Sequence, residues 1–158
     1  MALRLEDIEL IKRLKHAYFR CIDTLAIDEL RELLAADVRV DYQGGSYHWQ
    51  VEGREELIQS IVAAHNPDVV ATTFGHHPEI DVLSEREATG IWYLQDMYLN
   101  LKAKTLLTGA AIYRDRYVRE DGAWRIKETG YTRIYERIEP VTEPPNLTAH
   151  LLANVKRH

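Results

Sequence analysis

The spacing of apolar residues changes at Pro67, and this change constrains the fold more than any other feature of the sequence. Before Pro67, apolar side chains mostly recur every three or four residues, which is the period of an amphipathic helix. After Pro67 they mostly alternate with polar side chains, as they do along a β-strand. Helices followed by antiparallel strands predict an α+β fold with the helices packed on one face of the sheet.

The pattern divides into individual elements. Helices are predicted over 8–25, 28–36 and 52–65, with a strand over 37–42. The later strands are predicted over 69–74, 79–83, 88–101, 106–118 and 124–138. Asp121-Gly122 is a hairpin turn signal between the last two. The long strands predict a strongly curved sheet with bulges. Three helices across the open end of this sheet would form a cone with an internal cavity.

The length of the chain predicts one ordinary domain. Of the 158 residues, we assign 1–138 to this domain and 139–158 to a linker and C-terminal tail. The linker assignment depends on Pro140, Pro144 and Pro145, and a short helix is expected over 147–156.

Composition excludes several classes of function. The net charge of −5, without a basic stripe, argues against a nucleic-acid partner. No apolar run approaches the ~18 residues of a membrane span, so no membrane partner is expected. A single cysteine, Cys21, and an N-terminus without an apolar signal segment predict a cytoplasmic protein.

The first helix contains an unusual carboxylate. The segment Lys15-His-Ala-Tyr-Phe-Arg-Cys-Ile-Asp23 sets Tyr18, Arg20 and Asp23 into the apolar stripe of the helix. A buried carboxylate has a raised pKa and can act as a general acid or base. The alternative is a surface ion pair between Arg20 and Asp23. Tyr18 and Asp23 are five residues apart, which is ~140° around an ideal helix, so the spacing alone does not place them side by side.

Two later strands carry charged residues in register with large side chains. Alternation places Asp96 on the face of Trp92 and Leu94, which predicts that Asp96 faces the interior. The same alternation places Tyr131, Arg133 and Tyr135 on one face. Arg133 is therefore expected to meet either Asp23 or Asp96. A buried Asp96–Arg133 pair that only fixes packing is the structural alternative.

His76 and His77 lie at a predicted strand break, where at most one of them faces inward. The sequence has no His-x-His, His-Glu-x-x-His or cysteine cluster, so no metal is predicted. It also has no phosphate-binding glycine loop and no nucleotide fingerprint. The expected chemistry is proton transfer without a cofactor.

These motifs resemble the SnoaL-like branch of the nuclear transport factor 2-like superfamily, whose fold is an α+β cone. The resemblance covers roughly residues 7–136 and is strongest to the bacterial bile acid 7α-dehydratases. It depends on Tyr-Phe-Arg-Cys-Ile-Asp at 18–23, Gly-His-His-Pro-Glu-Ile at 75–80, Thr-Gly-Ile-Trp-Tyr-Leu-Gln-Asp at 89–96 and Glu-Thr-Gly-Tyr-Thr-Arg-Ile-Tyr-Glu at 128–136.

The resemblance implies a catalytic set. The family's tyrosine, two aspartates and arginine fall on Tyr18, Asp23, Asp96 and Arg133. The family's histidine falls on Thr73, which cannot titrate near neutral pH. His76 matches a different family position, so it is not an obvious substitute for that histidine, but it is included among the catalytic candidates.

The sequence leaves three functions open. The first is a lyase or isomerase that acts on a steroid-like or polycyclic hydroxy or oxo compound by proton transfer at Asp23. The second is a protein that binds such a small apolar oxygenated molecule without converting it. The third is an accessory subunit, because small subunits of ring-hydroxylating dioxygenases resemble this cone.

The bias of nine tyrosines against two phenylalanines suits a pocket for an oxygenated apolar ligand, although amphipathic strand surfaces would give the same bias. The predicted substrate-binding residues are Phe19, Thr73, Trp92, Tyr98, Tyr113, Tyr131 and Tyr135. Relatives on this fold are commonly homodimers or homotrimers, so we expect one of these assemblies.

Overall fold

A computed structural model describes residues 2–157 of the chain. The elements in chain order are α1 (Leu5–Thr24), α2 (Ile27–Leu33), β1 (Leu34–Gln43), β2 (His48–Glu52), α3 (Arg54–Ala64), β3 (Val69–Val82), β4 (Glu87–Asn100), β5 (Thr105–Glu120), β6 (Ala123–Pro140) and α4 (Leu151–Asn154).

Helix α1 follows the predicted apolar stripe and ends close to its predicted boundary. Leu25 takes a left-handed conformation, with a φ of 53°. The backbone N–H groups of Leu25 and Ala26 return to the carbonyl groups of Ile22 and Cys21, which closes the last turn. Asp23 therefore lies in the final turn of α1.

The helices pack on a curved six-stranded sheet in the order β2-β1-β6-β5-β4-β3. This confirms the predicted α+β cone. The sheet is mixed, because β1 runs parallel to β6 while all other neighbouring strands are antiparallel. The short edge strand β2 was not predicted from the sequence. It pairs with β1 through a hairpin after Gln43.

Bulges curve the sheet around the core. The two strands predicted on either side of residue 76 form the single strand β3, with an irregularity between His76 and Glu79. The pairing of β5 with β6 shifts between Ala110 and Ala111, and again between Arg116 and Tyr117. Each bulge increases local twist and re-aims the following side chains. The apolar core lies between the concave face of this sheet and the helices.

The C-terminal segment returns to the helices. Strand β6 extends to Pro140, and the expected tail helix is the four-residue α4. The His150 ring contacts the carbonyl oxygen of Val69, and Arg157 Nη2 donates to the carbonyl oxygen of His65 over 2.5 Å. Between residues 2 and 157, no helix is both long and apolar enough to cross a membrane.

Candidate active site

A cavity of about 470 Å³ lies between the concave face of the sheet and helices α1 and α3. Its wall is mostly apolar and rich in tyrosine. The residues that line it are Tyr18, Ile22, Tyr42, Tyr47, Trp49, Ser60, Ile61, Ala64, His65, Ala71, Thr73, Leu94, Asp96, Met97, Tyr98, Leu107, Tyr113, Tyr131 and Arg133. The volume is within the range of small-molecule sites, roughly 300–1,000 Å³.

Buried tyrosines form one side of the cavity. The hydroxyl groups of Tyr18 and Tyr42 are hydrogen-bonded at 2.5 Å, and the Tyr42 ring stacks on Tyr131 with centroids 4.4 Å apart. Burial raises the pKa values of Tyr18, Tyr42 and Tyr113 well above their usual range, because it disfavours the phenolate. These phenols therefore stay protonated and act as hydrogen-bonding groups.

A charged cluster forms a second part of the wall. Arg133 donates to both oxygens of Asp96, over 2.5 and 2.9 Å, in a bidentate pair. Its Nη2 also donates to the Tyr47 hydroxyl over 2.9 Å, and that hydroxyl is hydrogen-bonded to Tyr131. Of the two partners expected for Arg133, the structure selects Asp96. The cluster presents fixed polar groups to any ligand that enters.

Gly109 of β5 has no side chain, and this leaves room for the Arg133 guanidinium above the strand. A Cβ atom at this position would lie 2.9 Å from Arg133 Nη1 and 2.7 Å from the carbonyl oxygen of Tyr135. A larger residue would therefore displace either the guanidinium or the backbone of β6.

Asp23 lies behind the cavity wall rather than in it. Its Oδ2 accepts the backbone N–H of Thr73 over 3.0 Å, and Thr73 itself lines the cavity. Its Oδ1 is buried and has no hydrogen-bond partner among residues 2–157. Burial raises the pKa of Asp23 to about 6, although hydrogen bonds from Thr73 oppose the shift.

The surface ion pair considered for Asp23 does not form. Arg20 instead pairs with Glu29 of α2, with Nη2 and Oε1 2.5 Å apart, and both side chains are about half exposed. The buried carboxyl of Asp23 therefore has no cationic partner within the described part of the chain.

His76 lies on the outer face of the sheet, which corrects its prediction as a catalytic candidate. It is exposed, and its Nε2 lies 3.2 Å from the side-chain oxygen of Gln95. Alternation along β3 turns Thr73 and Gly75 toward α1, where Gly75 packs against the Phe19 ring. His76 must then face the opposite side.

The predicted substrate-binding residues fall into three groups. Thr73, Tyr98, Tyr113 and Tyr131 line the cavity. Phe19 and Trp92 are buried in the core, but neither belongs to the cavity wall. Tyr135 is 53% exposed on the outer face, because the bulge opposite Ala110 and Ala111 reverses the alternation after Arg133. The expectation that Tyr135 shares a face with Arg133 is therefore wrong.

The sequence analysis missed a charged pair beneath the tyrosines. Lys15 and Asp115 are both fully buried, and Lys15 Nζ lies 2.8 Å from Asp115 Oδ2. The ammonium also lies 3.8 Å from the centroid of the Tyr113 ring and donates to Thr129 Oγ1 over 3.1 Å. A lysine within the apolar stripe of α1 was the available signal for this pair.

His65 was the other omission. The sequence analysis gives it no role beyond the end of the predicted helix over 52–65, yet it lines the cavity. No cluster of three or more His, Cys, Asp or Glu side chains suited to a metal ion occurs from residue 2 to residue 157.

A curved sheet, three capping helices and an internal tyrosine-rich cavity define an α+β cone with a cavity of the size that small molecules occupy. Residues 3–130 match the model of the SnoaL-like domain family. The chain therefore belongs to the SnoaL-like domain family.

Solved structures support the same fold. One is the type 2 hexachlorocyclohexane dehydrochlorinase LinA, at 18% identity and a TM-score of 0.77, with 91% of this chain and 97% of that chain covered. Another is a provisionally assigned scytalone dehydratase from Novosphingobium aromaticivorans, at 19% identity and a TM-score of 0.75, with 92% and 96% covered. A third is the type 3 LinA of Novosphingobium barchaimii, at 19% identity and a TM-score of 0.70, with 88% and 92% covered. At these identities the likeness concerns the fold.

Proposed function

We propose that the protein is a cofactor-independent lyase of the dehydratase type, or an isomerase, acting by proton transfer at Asp23. The observation that carries this proposal is a buried carboxyl of raised pKa beside a mostly apolar cavity that also holds fixed polar groups. A pKa of about 6 lets Asp23 take and return a proton near neutral pH. Such a group is more useful in catalysis than in packing.

Thr73 connects Asp23 to the cavity. It lines the wall, and its backbone N–H donates a hydrogen bond to the Asp23 carboxyl. A proton can pass between Asp23 and a ligand through the Thr73 hydroxyl, or directly once Asp23 turns past it. Thr73 replaces the family's histidine and does not titrate near neutral pH, so the titrating group at this part of the wall is Asp23.

The remaining polar groups orient the substrate. Tyr18 stays protonated and donates a hydrogen bond to an oxygen that gains negative charge. Arg133, fixed by Asp96 and Tyr47, binds the oxygenated end of the ligand. Ketosteroid isomerase likewise combines a carboxyl group that transfers protons with tyrosine and acid hydrogen-bond donors.

The named neighbours support elimination chemistry. A dehydrochlorinase and a dehydratase both remove a proton and a leaving group from adjacent carbons, and both share this fold. A mostly apolar cavity of about 470 Å³ suits a polycyclic hydroxy or oxo compound. We also propose that the protein is close to the bile acid 7α-dehydratases and that it is cytoplasmic.

A panel of hydroxysteroids and polycyclic hydroxyketones tests the proposal. Binding is measured by thermal shift, and conversion by mass spectrometry for loss of water or by absorbance for a new conjugated enone. We expect at least one compound to bind and be converted. Asp23→Asn should abolish conversion while retaining the fold, whereas Asp81→Asn, an exposed change on the same strand as Thr73, should have no effect.

Binding without conversion is the second candidate function. Thr73 in place of the histidine, and the position of Asp23 behind the wall, favour it. In that case the panel would contain ligands but no substrates, and Thr73→His would not create turnover. A panel with neither ligands nor substrates would contradict both candidates.

A further inference from the structure

His65 is the one histidine that lines the cavity within residues 2–157. It follows the last residue of α3 and lies against Tyr98 of β4, with ring centroids 6.3 Å apart and planes at 88°. The Tyr98 hydroxyl donates to the carbonyl oxygen of Ala64 over 2.6 Å, and Arg157 donates to that of His65. The two hydrogen bonds fix the backbone at the end of α3, and the imidazole itself packs edge-to-face on the Tyr98 ring.

The hydrogen bond of His65 sets its tautomer. Its Nδ1 lies 2.9 Å from the carbonyl oxygen of Ile61, which can only accept a hydrogen bond. Nδ1 must therefore carry the hydrogen, and in the neutral ring the lone pair lies on Nε2. Among the described residues, Nε2 has no hydrogen-bond partner, and the residue that carries it lines the cavity.

The surroundings of His65 favour a neutral ring. Burial lowers the pKa of His65, the charge of Arg157 lowers it further, and the bond to Ile61 opposes both. No carboxylate forms an ion pair with His65 in the part of the chain that the structure describes. At neutral pH the ring is therefore an uncharged base with a directed lone pair.

An elimination moves two protons, one away from carbon and one onto the leaving oxygen. We infer that His65 Nε2 is the proton acceptor of the cavity and that Asp23 in its protonated form is the donor, an assignment that rests on the proposed function. The C–H pair becomes the new C=C bond as Nε2 takes the proton. The C–O bond breaks, and the departing hydroxide takes the Asp23 proton and leaves as water.

The assignment gives Asp23 and His65 complementary states. The raised pKa of Asp23 keeps a fraction of the carboxyl protonated near neutral pH, and the lowered pKa of His65 keeps the imidazole neutral there. After each turnover the imidazolium loses its proton and the carboxylate regains one, so the protein returns to its starting state. His65 thereby supplies the basic group that Thr73 cannot.

Nitrogen NMR of protein with ¹⁵N-labelled histidine tests this inference without an activity assay. We expect His65 to be neutral at pH 7 with the hydrogen on Nδ1. Saturation with testosterone, used as a 3-oxo-4-ene steroid probe, should shift its Nε2 resonance and slow its reaction with diethyl pyrocarbonate. A hydrogen on Nε2, a charged ring at pH 7, or an unchanged Nε2 resonance with the probe bound would overturn the inference.

Kinetics supply the second test, with a matched histidine as control. On a substrate found in the panel, His65→Gln should lower kcat at least 100-fold with little change in KM. His150→Gln also removes a half-buried ring that contacts a backbone carbonyl, but His150 lies outside the cavity wall and kcat should not change. Should no compound be converted, the proposed function fails and the catalytic assignment of His65 fails with it, whereas conversion with an unchanged kcat in folded His65→Gln would refute the assignment alone.

Discussion

Asp23 lies at the end of α1 that least favours a negatively charged carboxylate. It occupies the last turn, where the helix dipole disfavours negative charge, and no basic residue shares that turn. One of its oxygens is buried without a partner among residues 2–157, and the other has only Thr73. The folded protein therefore binds the Asp23 proton more tightly than the unfolded chain does.

This difference predicts how stability depends on pH. The pKa of Asp23 rises from 3.8 in the unfolded chain to about 6 in the folded protein. Folding is stabilised by the tighter binding of the Asp23 proton. This stabilisation is complete below about pH 4 and is lost as the pH rises through 6. Two pKa units correspond to at most roughly 3 kcal/mol.

Urea unfolding of Asp23→Asn and of the wild type at pH 4 and pH 7 measures this effect. Relative to the wild type, the variant should gain roughly 2–3 kcal/mol in free energy of unfolding on going from pH 4 to pH 7. An equal difference between the two proteins at both pH values would mean that the carboxyl is not held in the environment described here.

At the scale of elements, helix α1 is fixed to the sheet by polar contacts along its whole length. In its first turn, Asp7 accepts the indole N–H of Trp124 over 3.0 Å and pairs with Arg119. In its middle, Lys15 meets Asp115, and in its last turn Asp23 meets Thr73. These contacts set the position of α1 over the sheet, and with it the position of Tyr18 in the cavity.

Breaking the Lys15–Asp115 pair should strongly destabilise the protein, because it leaves one buried charge without its partner. Lys15→Met leaves the Asp115 carboxylate buried without its cation and should cost roughly 3–5 kcal/mol in urea unfolding. Adding Asp115→Asn removes the stranded charge, keeps an acceptor for Tyr117, and should restore part of the loss.

An exposed pair on the same helix is the control for this experiment. Arg20→Ala breaks the pair with Glu29 and should leave the free energy of unfolding within experimental error. If Lys15→Met were as mild as Arg20→Ala, the ammonium would not be buried as described.

At the scale of the whole molecule, the outer face of the sheet is unusually apolar. The strand registers align Phe74, Gln95, Ala110 and Tyr135 in one row across β3 to β6, with Tyr93 and Ile112 in the next. Phe74, Tyr93 and Tyr135 are each about half exposed. Exposed apolar surface of this kind is typical of an interface between subunits.

The expected homodimer or homotrimer stays a prediction, and this face is where we place its interface. Light scattering after gel filtration should give two or three times the monomer mass for the wild type. Tyr93→Glu should shift the protein toward monomer, because it buries a charge in the contact. Leu83→Glu, an equally polar change at an exposed turn, should not. A monomeric wild type would contradict the prediction.

Local sequence determined the elements and several of their boundaries. The hairpin turn at Asp121-Gly122 is confirmed, with positive φ values at both residues and β5 and β6 on either side. The apolar stripe of α1 placed Tyr18 in the interior, where the structure has it. These features depend on periods of two and 3.6 residues and on turn chemistry, which a short window of sequence contains.

Tertiary structure decided the rest. One bulge turned Tyr135 outward, and the packing of Gly75 on Phe19 turned His76 away from the cavity. The parallel pairing of β1 with β6 joins strands far apart in the chain. His65 reaches the cavity only because the C-terminal end of α3 lies against Tyr98 of β4. Periodicity fixes which side of its own element a residue faces, but long-range packing fixes what that side meets.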